Sequence, residues 1–404
     1  MAVCEGREAN HLGAACRIID NMTIKVLHLI DSGGLYGAEM VLLNLVEAQI
    51  KDGLSPLILS IGEPGILEKP LEAAARSRSL PVKQWRMRPG LNLSGAWKIL
   101  MFARREGFQI LHSHGYKFNL QMGVWPRFLR QLPVLTTVHG YVTAQPGTRM
   151  WLYQQADRRI LKWLERVVFV SHAMLKQPFF NNLKLPNAVA INNGMDLERE
   201  VSSAITCRSA LSERGVLPNG LSRPIIGAVG RLAVEKGFLN LIDAFSIVRK
   251  KHPDATLVIV GEGELRETLE HRIEALDLTN CIYLPGFVSP IYSILKELDV
   301  FVLSSFTEGL PTVVLEAMLC GTRIAASAVG GVPELLDNGR LGKLFNPTTI
   351  SEMVEAILNQ LADEGHDRVK QRESFLPHLR SFYSLDVMAG AYTHQYKSLL
   401  KSHA

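Results

Sequence analysis

Two glutamates stand eight positions apart in SSFTEGLPTVVLEAMLCG, residues 304–321. Glu308 precedes a Gly-Leu-Pro turn. Glu316 interrupts an apolar run of Val313, Val314, Leu315, Ala317, Met318 and Leu319. A carboxylate in such a run is costly to bury without a partner, so its position raises the question of what it holds. Pro311 suits the first helical position and Gly321 the C-terminal cap. Glu308 then lies in the loop before a helix, with Glu316 about one and a half turns inside it. Carboxylates accept hydrogen bonds in pairs, which suits the vicinal hydroxyls of a ribose or hexose. The helix N-terminus between them suits a phosphate. Together they match the parts of a nucleotide-sugar. Taken alone, the segment favours the plainer reading, a capping glutamate followed by an exposed one.

A second stretch, GAVGRLAVEKGF at 227–238, places Gly230, Arg231 and Lys236 in a short loop between a strand and a helix. Arginine offers planar bidentate donors to phosphate and lysine a point charge; two surface cations are the plainer alternative. DSGGLYGAEM at 31–40 carries Gly33, Gly34 and Gly37 ahead of a helix start, which lets backbone approach an anion closely. It lacks G-x-G-x-x-G spacing, which argues against a dehydrogenase, and a tight turn explains it as well. In IVGEGELRETL, 259–269, Glu262 and Glu264 complement a helix N-terminus, and a structural role suffices. Histidines recur at strand ends: His112 and His114 in LHSHGY, His139 in TTVHGY, His172 in VSHAM. A lone histidine is usually structural, but three such loops in one domain point to at least one site residue. His139, followed by Gly140, is the candidate. No histidine set has metal-ligand spacing, and the five scattered cysteines form no C-x-x-C pair.

These loops must hang on something. The 404 residues exceed what one core usually covers, so two domains are expected. Short β-rich runs alternate with helical patterns throughout. KVLHLI (25–30), PLILSI (56–61), ILHSH (110–114), VLTTV (134–138), VVFVS (167–171) and VAIN (189–192) read as buried parallel strands of a first unit. PIIGAVG (224–230), TLVIVG (256–261), CIYL (281–284), VFVLS (300–304) and RIAAS (323–327) read as a second. The class is α/β, with ligands expected beyond the carboxyl ends of the strands. The Gly/Pro/Ser-rich stretch ERGVLPNGLSRP marks a joint between about 197 and 222. In the tail, Met388, Tyr392, Tyr396 and Leu399 form one apolar helical stripe.

Composition narrows the setting. The net charge is +5, with 47% hydrophobic residues, ordinary for a globular protein. No apolar run is long enough for a membrane span, residues 1–21 lack the apolar core of a signal peptide, and the cysteine usage fits a reducing cytoplasm. Residues 1–21 read as a disordered extension before the first strand. Between 76 and 130 stand eleven basic residues, including Arg76, Arg78, Lys83, Arg86, Arg88, Arg104 and Arg105, against the single acid Glu106. Such a run would draw an anionic membrane surface, and a merely solvated face explains it equally.

Taken together, these stretches resemble the retaining GT-B glycosyltransferases of the family-4 type, the glycosyl transferases group 1. EGLPTVVLEAMLCG resembles that family's E-x7-E signature, GRLAVEKG its diphosphate-binding loop, INNGMD (191–196) the approach to its interdomain linker, and SGGLYGAEM and VHGY its N-terminal site loops. The motifs run in order over roughly residues 24–400. The resemblance implies a GT-B fold of two Rossmann-like domains whose parallel sheets face across a cleft. It implies an acceptor-side domain over 22–200, a linker over 201–222, a nucleotide-sugar domain over 223–384, and a helix over 385–404 that packs back on the first domain.

It also implies roles. Arg231 and Lys236, with Gly230, would hold the donor diphosphate, and Glu316 the nucleotide ribose. Glu308 would contact the transferred sugar. Gly286 and Phe287 would edge the base, and Gly309, Leu310 and Pro311 would line the sugar-phosphate pocket. Gly33 and Gly34 would approach the reacting centre, and His139 the donor sugar. The implied reaction is retaining transfer from a nucleoside-diphosphate sugar to a saccharide or lipid-linked acceptor, in surface polysaccharide or glycolipid synthesis. It needs no cofactor and no metal, in line with the absence of a D-x-D motif. The setting is cytoplasmic, peripheral on the inner face of the membrane, with no nucleic-acid partner. A nucleotide-sugar epimerase or phosphorylase on the same fold is the runner-up, and a non-catalytic nucleotide-binding scaffold a third reading. One departure stands out: Thr322-Arg323 follows Gly321, where the family more often has proline and then valine.

Overall fold

A computed structural model describes residues 23–402, apart from 32, 36, 141–143, 146, 177–179, 181, 208–220 and 363–364. The expected extension over 1–21 lies outside the described residues. The chain forms two compact units, one of residues 1–195 with 383–404 and one of residues 196–382.

The first unit is a seven-stranded parallel sheet, β1 (Lys25–Ile30), β2 (Ser55–Gly62), β3 (Val82–Arg86), β4 (Ile110–Ser113), β5 (Val134–Val138), β6 (Arg166–Phe169) and β7 (Ala188–Ala190). Their order is β3-β2-β1-β4-β5-β6-β7. Register pairs Val26 with Ile110 and His28 with His112, which lines the histidines up across neighbouring strands. Helices cover both faces, so the central strands are mostly apolar, with His28, His112 and Thr137 among the buried polar exceptions. The terminal helix Leu385–Lys401 belongs to this unit and buries Met388, Tyr392, Tyr396 and Leu399 among Val41, Leu45 and Ile110. Ser384 caps its start, accepting from the Val387 amide.

The second unit is a six-stranded parallel sheet of β8 (Ile225–Val229), β9 (Thr256–Val260), β10 (Ile282–Gly286), β11 (Val300–Leu303), β12 (Arg323–Ser327) and β13 (Lys343–Phe345). Their order is β10-β9-β8-β11-β12-β13. Its core gathers Phe238, Phe245, Ile259, Val302 and Ile357. The stretch expected as an irregular joint opens with a helix, Leu197–Thr206, whose first turn is held by Asp196 accepting from the Arg199 amide at 3.2 Å. Residues 208–220 lie outside the described residues.

The fold withdraws two arginines of the basic run from the surface. Arg130 is 2% exposed and pairs with Glu165. Arg86 grips the fully buried Glu72 with two bonds, 2.8 and 2.9 Å. Gln84 and the Lys69 amide donate to the same carboxylate. Burial pushes the Glu72 pKa up, but the bonds from Arg86, the Lys69 amide and Gln84 together outweigh it and hold the acid at about 2. Its contribution to stability is therefore complete above pH 4.5 and fades as pH falls toward about 2. Glu72→Ala strands the Arg86 guanidinium, and denaturant unfolding at neutral pH should show a loss of about 3–5 kcal/mol.

Candidate functional site

In the second unit the strand order reverses between β8 and β11, where ligands of open α/β sheets bind. The loops after these strands are tied together. Ser304 Oγ donates to the Lys236 carbonyl at 2.7 Å, and the Phe306 amide to the Glu235 carbonyl at 2.8 Å. Gly237 makes the approach possible: its φ is 65°, and a Cβ there would lie 2.2 Å from the Ser304 oxygen. The result is an ion pair between residues far apart in sequence. Lys236 Nζ lies 2.7 Å from Glu308 Oε1, which also accepts from Ser305 Oγ at 2.6 Å. Gly230 packs beside the lysine stem, where a Cβ would make an ordinary contact with Lys236 Cδ at 3.4 Å.

Arg231 stands apart from that pair. Its side chain is 66% exposed and bonds Glu235. Pro311 occupies the cap position of helix Thr312–Leu319, one residue before the helical position expected of it. Leu310 and Pro311 are buried, and the Gly309 carbonyl accepts from the Gly331 amide at 2.8 Å. Gly286 ends β10 with φ 83°, and Phe287 beside it is 81% exposed.

Glu316 lies half-buried inside helix Thr312–Leu319, and its carboxyl has no hydrogen-bond partner among the described residues. Burial raises its pKa to about 7, with repulsion from Glu200 adding to the effect. Glu200, on helix Leu197–Thr206, accepts from the Tyr292 hydroxyl at 2.7 Å. A poorly solvated carboxyl with unused acceptors is a ready receiver for two hydroxyl donors. Nothing in sequence spacing linked Glu200 or Tyr292 to Glu316.

In the first unit the order reverses between β1 and β4. Asp31, at the end of β1, accepts from Lys69 at 2.7 Å and from Lys117. It opens the loop of Gly33 and Gly34, and a Cβ on Gly33 would meet open space. His139 follows β5; residues 141–143 beyond it lie outside the described residues. His139 is not isolated. His28, His112, His114 and His139 form one array, with His28 Nδ1 3.0 Å from His114 Nε2 and His114 Nδ1 3.2 Å from His139 Nε2. His172 begins a short helix, His172–Lys176, outside that array. Donor atoms of His28, His112 and His114 lie within 4.8 Å of one another, close enough to suggest a metal. Every ring nitrogen of these three is already bonded to a protein group, so the array reads as a hydrogen-bond network. The sequence reading missed His28 and Gln49; the only signal was His28 inside the apolar strand run KVLHLI, and Gln49 is one of three polar residues in LLNLVEAQI.

Comparison with known proteins places this arrangement. The Glycosyltransferase Family 4 model matches residues 36–199, and the Glycosyl transferases group 1 model residues 212–375. An alpha-D-kanosaminyltransferase of Streptomyces kanamyceticus is 29% identical over 283 residues, 65% of this chain and 70% of that protein. The UDP-Gal:alpha-D-GlcNAc-diphosphoundecaprenol alpha-1,3-galactosyltransferase of Escherichia coli is 28% identical over 290 residues, 68% of this chain and 70% of that protein. Among solved structures, Anabaena Alr3699/HepE in complex with UDP superposes with a TM-score of 0.74 at 20% identity, covering 93% of this chain and all of that one. The two parallel sheets and this likeness define a GT-B fold. The chain belongs to the family-4 type of GT-B glycosyltransferases and is a transferase that uses nucleotide-sugar donors. No helix among the described residues is long and apolar enough to cross a membrane.

Proposed function

We propose that the enzyme moves a hexosyl group, with retention of anomeric configuration, from a nucleoside-diphosphate sugar to a saccharide or lipid-linked acceptor. The setting is cell-surface polysaccharide or glycolipid synthesis. The observation that carries this reading is the Lys236–Glu308 pair at the reversal point of the second sheet. Departure of the nucleoside diphosphate leaves negative charge on its terminal phosphate. Lys236, Arg231 and the N-terminus of helix Thr312–Leu319 supply positive potential for it without a metal. Glu308, drawn away from Lys236 by the diphosphate, receives hydroxyls of the sugar, and Glu316 those of the ribose. Gly309, Leu310 and Pro311 line the sugar-phosphate segment, and Gly286 and Phe287 edge the base. From the first unit, Gly33 and Gly34 approach the reacting centre and His139 contacts the donor sugar. The acceptor attacks from the face the phosphate leaves, and that phosphate takes the acceptor proton.

A panel of UDP-, GDP- and ADP-sugars, read by nucleotide release with and without a chelator, tests the donor and the metal independence. The product's anomeric signal in NMR tests retention. An inverted product, or release that stops with chelator, sinks the corresponding part.

The second part of the proposal is peripheral attachment to the inner, anionic membrane face. Exposed Leu91 and Leu93 flank the start of helix Leu93–Arg105, with exposed Arg88 and Lys98 beside them. They line a hollow of about 650 Å³ with Trp85 and Met87. Each basic residue near such a surface contributes about 1 kcal/mol. Arg88→Glu with Lys98→Glu should therefore weaken flotation with anionic liposomes by at least about 30-fold and leave neutral liposomes unaffected. Equal flotation of both proteins removes the membrane from the proposal.

A further inference from the structure

The histidine array is polarised, and its polarity begins at Gln49. Each neutral imidazole has one donor and one acceptor nitrogen. Gln49, fully buried on helix Gly37–Lys51, donates from Nε2 to the Tyr396 hydroxyl at 3.0 Å. Its Oε1 is thereby turned to His28 Nε2, 2.9 Å away, and can only accept. His28 then carries its proton on Nε2 and offers a lone pair on Nδ1. His114 Nε2 must donate to that lone pair, which leaves His114 Nδ1 as the acceptor for His139 Nε2. The chain ends at His139 Nδ1, buried and without a partner among the described residues.

The other branch closes consistently. Tyr396, having accepted from Gln49, donates to His112 Nδ1 at 2.8 Å. His112 Nε2 donates to Thr137 Oγ1 at 2.8 Å, and Thr137 to the Tyr392 hydroxyl at 2.8 Å. Turning the Gln49 amide over would reverse every bond and leave a buried N–H with no acceptor on His139. An orphaned donor is rarer and costlier than an orphaned lone pair, so the first polarity holds. The scheme requires one proton per ring. Burial lowers the His28 and His139 pKa values to about 4, and those of His112 and His114 well below the usual range.

We infer that Gln49 is a positioning residue of the transferase: through His28 and His114 it fixes His139 in the tautomer whose Nδ1 is a bare acceptor for a hydroxyl of the donor sugar. The inference rests on the role proposed above for His139. It assigns a task to the fully buried Gln49 and His28 and to His114, and Tyr396 of the terminal helix anchors the Gln49 amide.

Long-range proton–nitrogen NMR on protein labelled at histidine, recorded without donor, reads which ring nitrogen carries the proton. The expected spectrum shows His28, His114 and His139 protonated on Nε2. Gln49→Leu should mix the His139 tautomers and lower kcat/KM about tenfold, the size of one lost hydrogen bond. Gln49→Glu, which restores an acceptor oxygen toward His28, should recover both. In a His139→Ala background, Gln49→Leu should cause no further loss. A proton on His139 Nδ1 in the unaltered protein overturns the inference. So does a Gln49→Leu loss that persists in full without His139. If Gln49→Leu does not fold, the spectra of the unaltered protein and Gln49→Glu decide alone. These spectra need no turnover, so a failed transferase reading, shown by undiminished turnover in Lys236→Ala, is distinguishable from a failed relay.

Discussion

Lys236→Ala is expected to lower kcat about 100-fold, equivalent to roughly 3 kcal/mol of transition-state stabilisation, with a much smaller change in donor KM. The reason lies in when the charge appears. A bound nucleotide-sugar already carries its diphosphate charges, but bond cleavage adds charge at the phosphate oxygen nearest the sugar. A cation fixed at that point acts mainly on the transition state, and so on kcat rather than on affinity. In the proposed function Lys236 is such a cation, and the structure holds it in place: its backbone is locked to the Ser304 hydroxyl, and its Nζ lies 2.7 Å from Glu308. The same bond means that Lys236→Ala disturbs Glu308, leaving its side chain, 11% exposed, with Ser305 as its remaining partner. The two residues therefore act as a unit. Lys236→Ala combined with Glu308→Ala should be little worse than the worse single variant. Lys236→Arg should not restore the rate, because the planar guanidinium does not reproduce a compact ammonium beside Gly230. Initial rates of nucleotide release, with thermal unfolding as a control for folding, measure all of these. An unchanged kcat in a folded Lys236→Ala protein would remove the electrostatic account.

Why Lys236 and Glu308 could be read from sequence, and Gln49 could not, is a matter of range. Both candidate residues, which the structure pairs, sit in loops punctuated by glycine directly after an apolar strand, and a parallel sheet sends all such loops to one edge. The local pattern thus carried the global position. The central strands were legible because they are mostly apolar on both faces, in spite of His28, His112 and Thr137. The two strands the sequence reading missed are edges of their sheets: β3, VKQWR, has only Val82 and Trp85 as apolar residues, and β13 is only Lys343–Phe345. Arg86 and Arg130 read as surface charge because their acids, Glu72 and Glu165, are separated from them in sequence and only the fold brings them together. The histidine array joins His28, His112, His114 and His139 from three strands to Gln49 and Tyr396 from two helices. No spacing rule encodes a contact of that kind. Sequence gave His139 as a lone candidate, and packing supplied its neighbours.

The unpartnered carboxyl of Glu316 leads to a result of opposite signs for folding and for binding. Its pKa in the folded protein, about 7, lies above the ordinary 4.5, so the shift is upward. Below 4.5 the group is protonated in both folded and unfolded chains, and its contribution to stability is full. As pH rises toward 7 the unfolded chain ionises while the folded one keeps its proton. Above about 7 the folded protein must hold a poorly solvated charge near Glu200, and the contribution is lost. The deficit is on the order of 3 kcal/mol from the size of the shift. Glu316→Gln has nothing to ionise. It should raise the midpoint of thermal unfolding of the donor-free enzyme at pH 8 and leave it little changed at pH 4. Donor binding should move the other way. In the proposed ribose-binding role two hydroxyls donate to the ionised form, so donor affinity of the unaltered enzyme should strengthen as pH rises through about 7. The amide of Glu316→Gln accepts through one oxygen without charge; losing a charge-assisted bond worth about 1.5–3 kcal/mol should weaken donor binding by roughly 10- to 100-fold and flatten its pH dependence. Calorimetric titration with the nucleoside diphosphate across pH 6–8, beside unfolding curves of both proteins, reads both halves. A carboxyl that serves only the helix would lose stability when replaced. One kept strained for a ligand gains stability and loses affinity, and a lower unfolding midpoint for Glu316→Gln at pH 8 would settle the matter against a ribose-binding role.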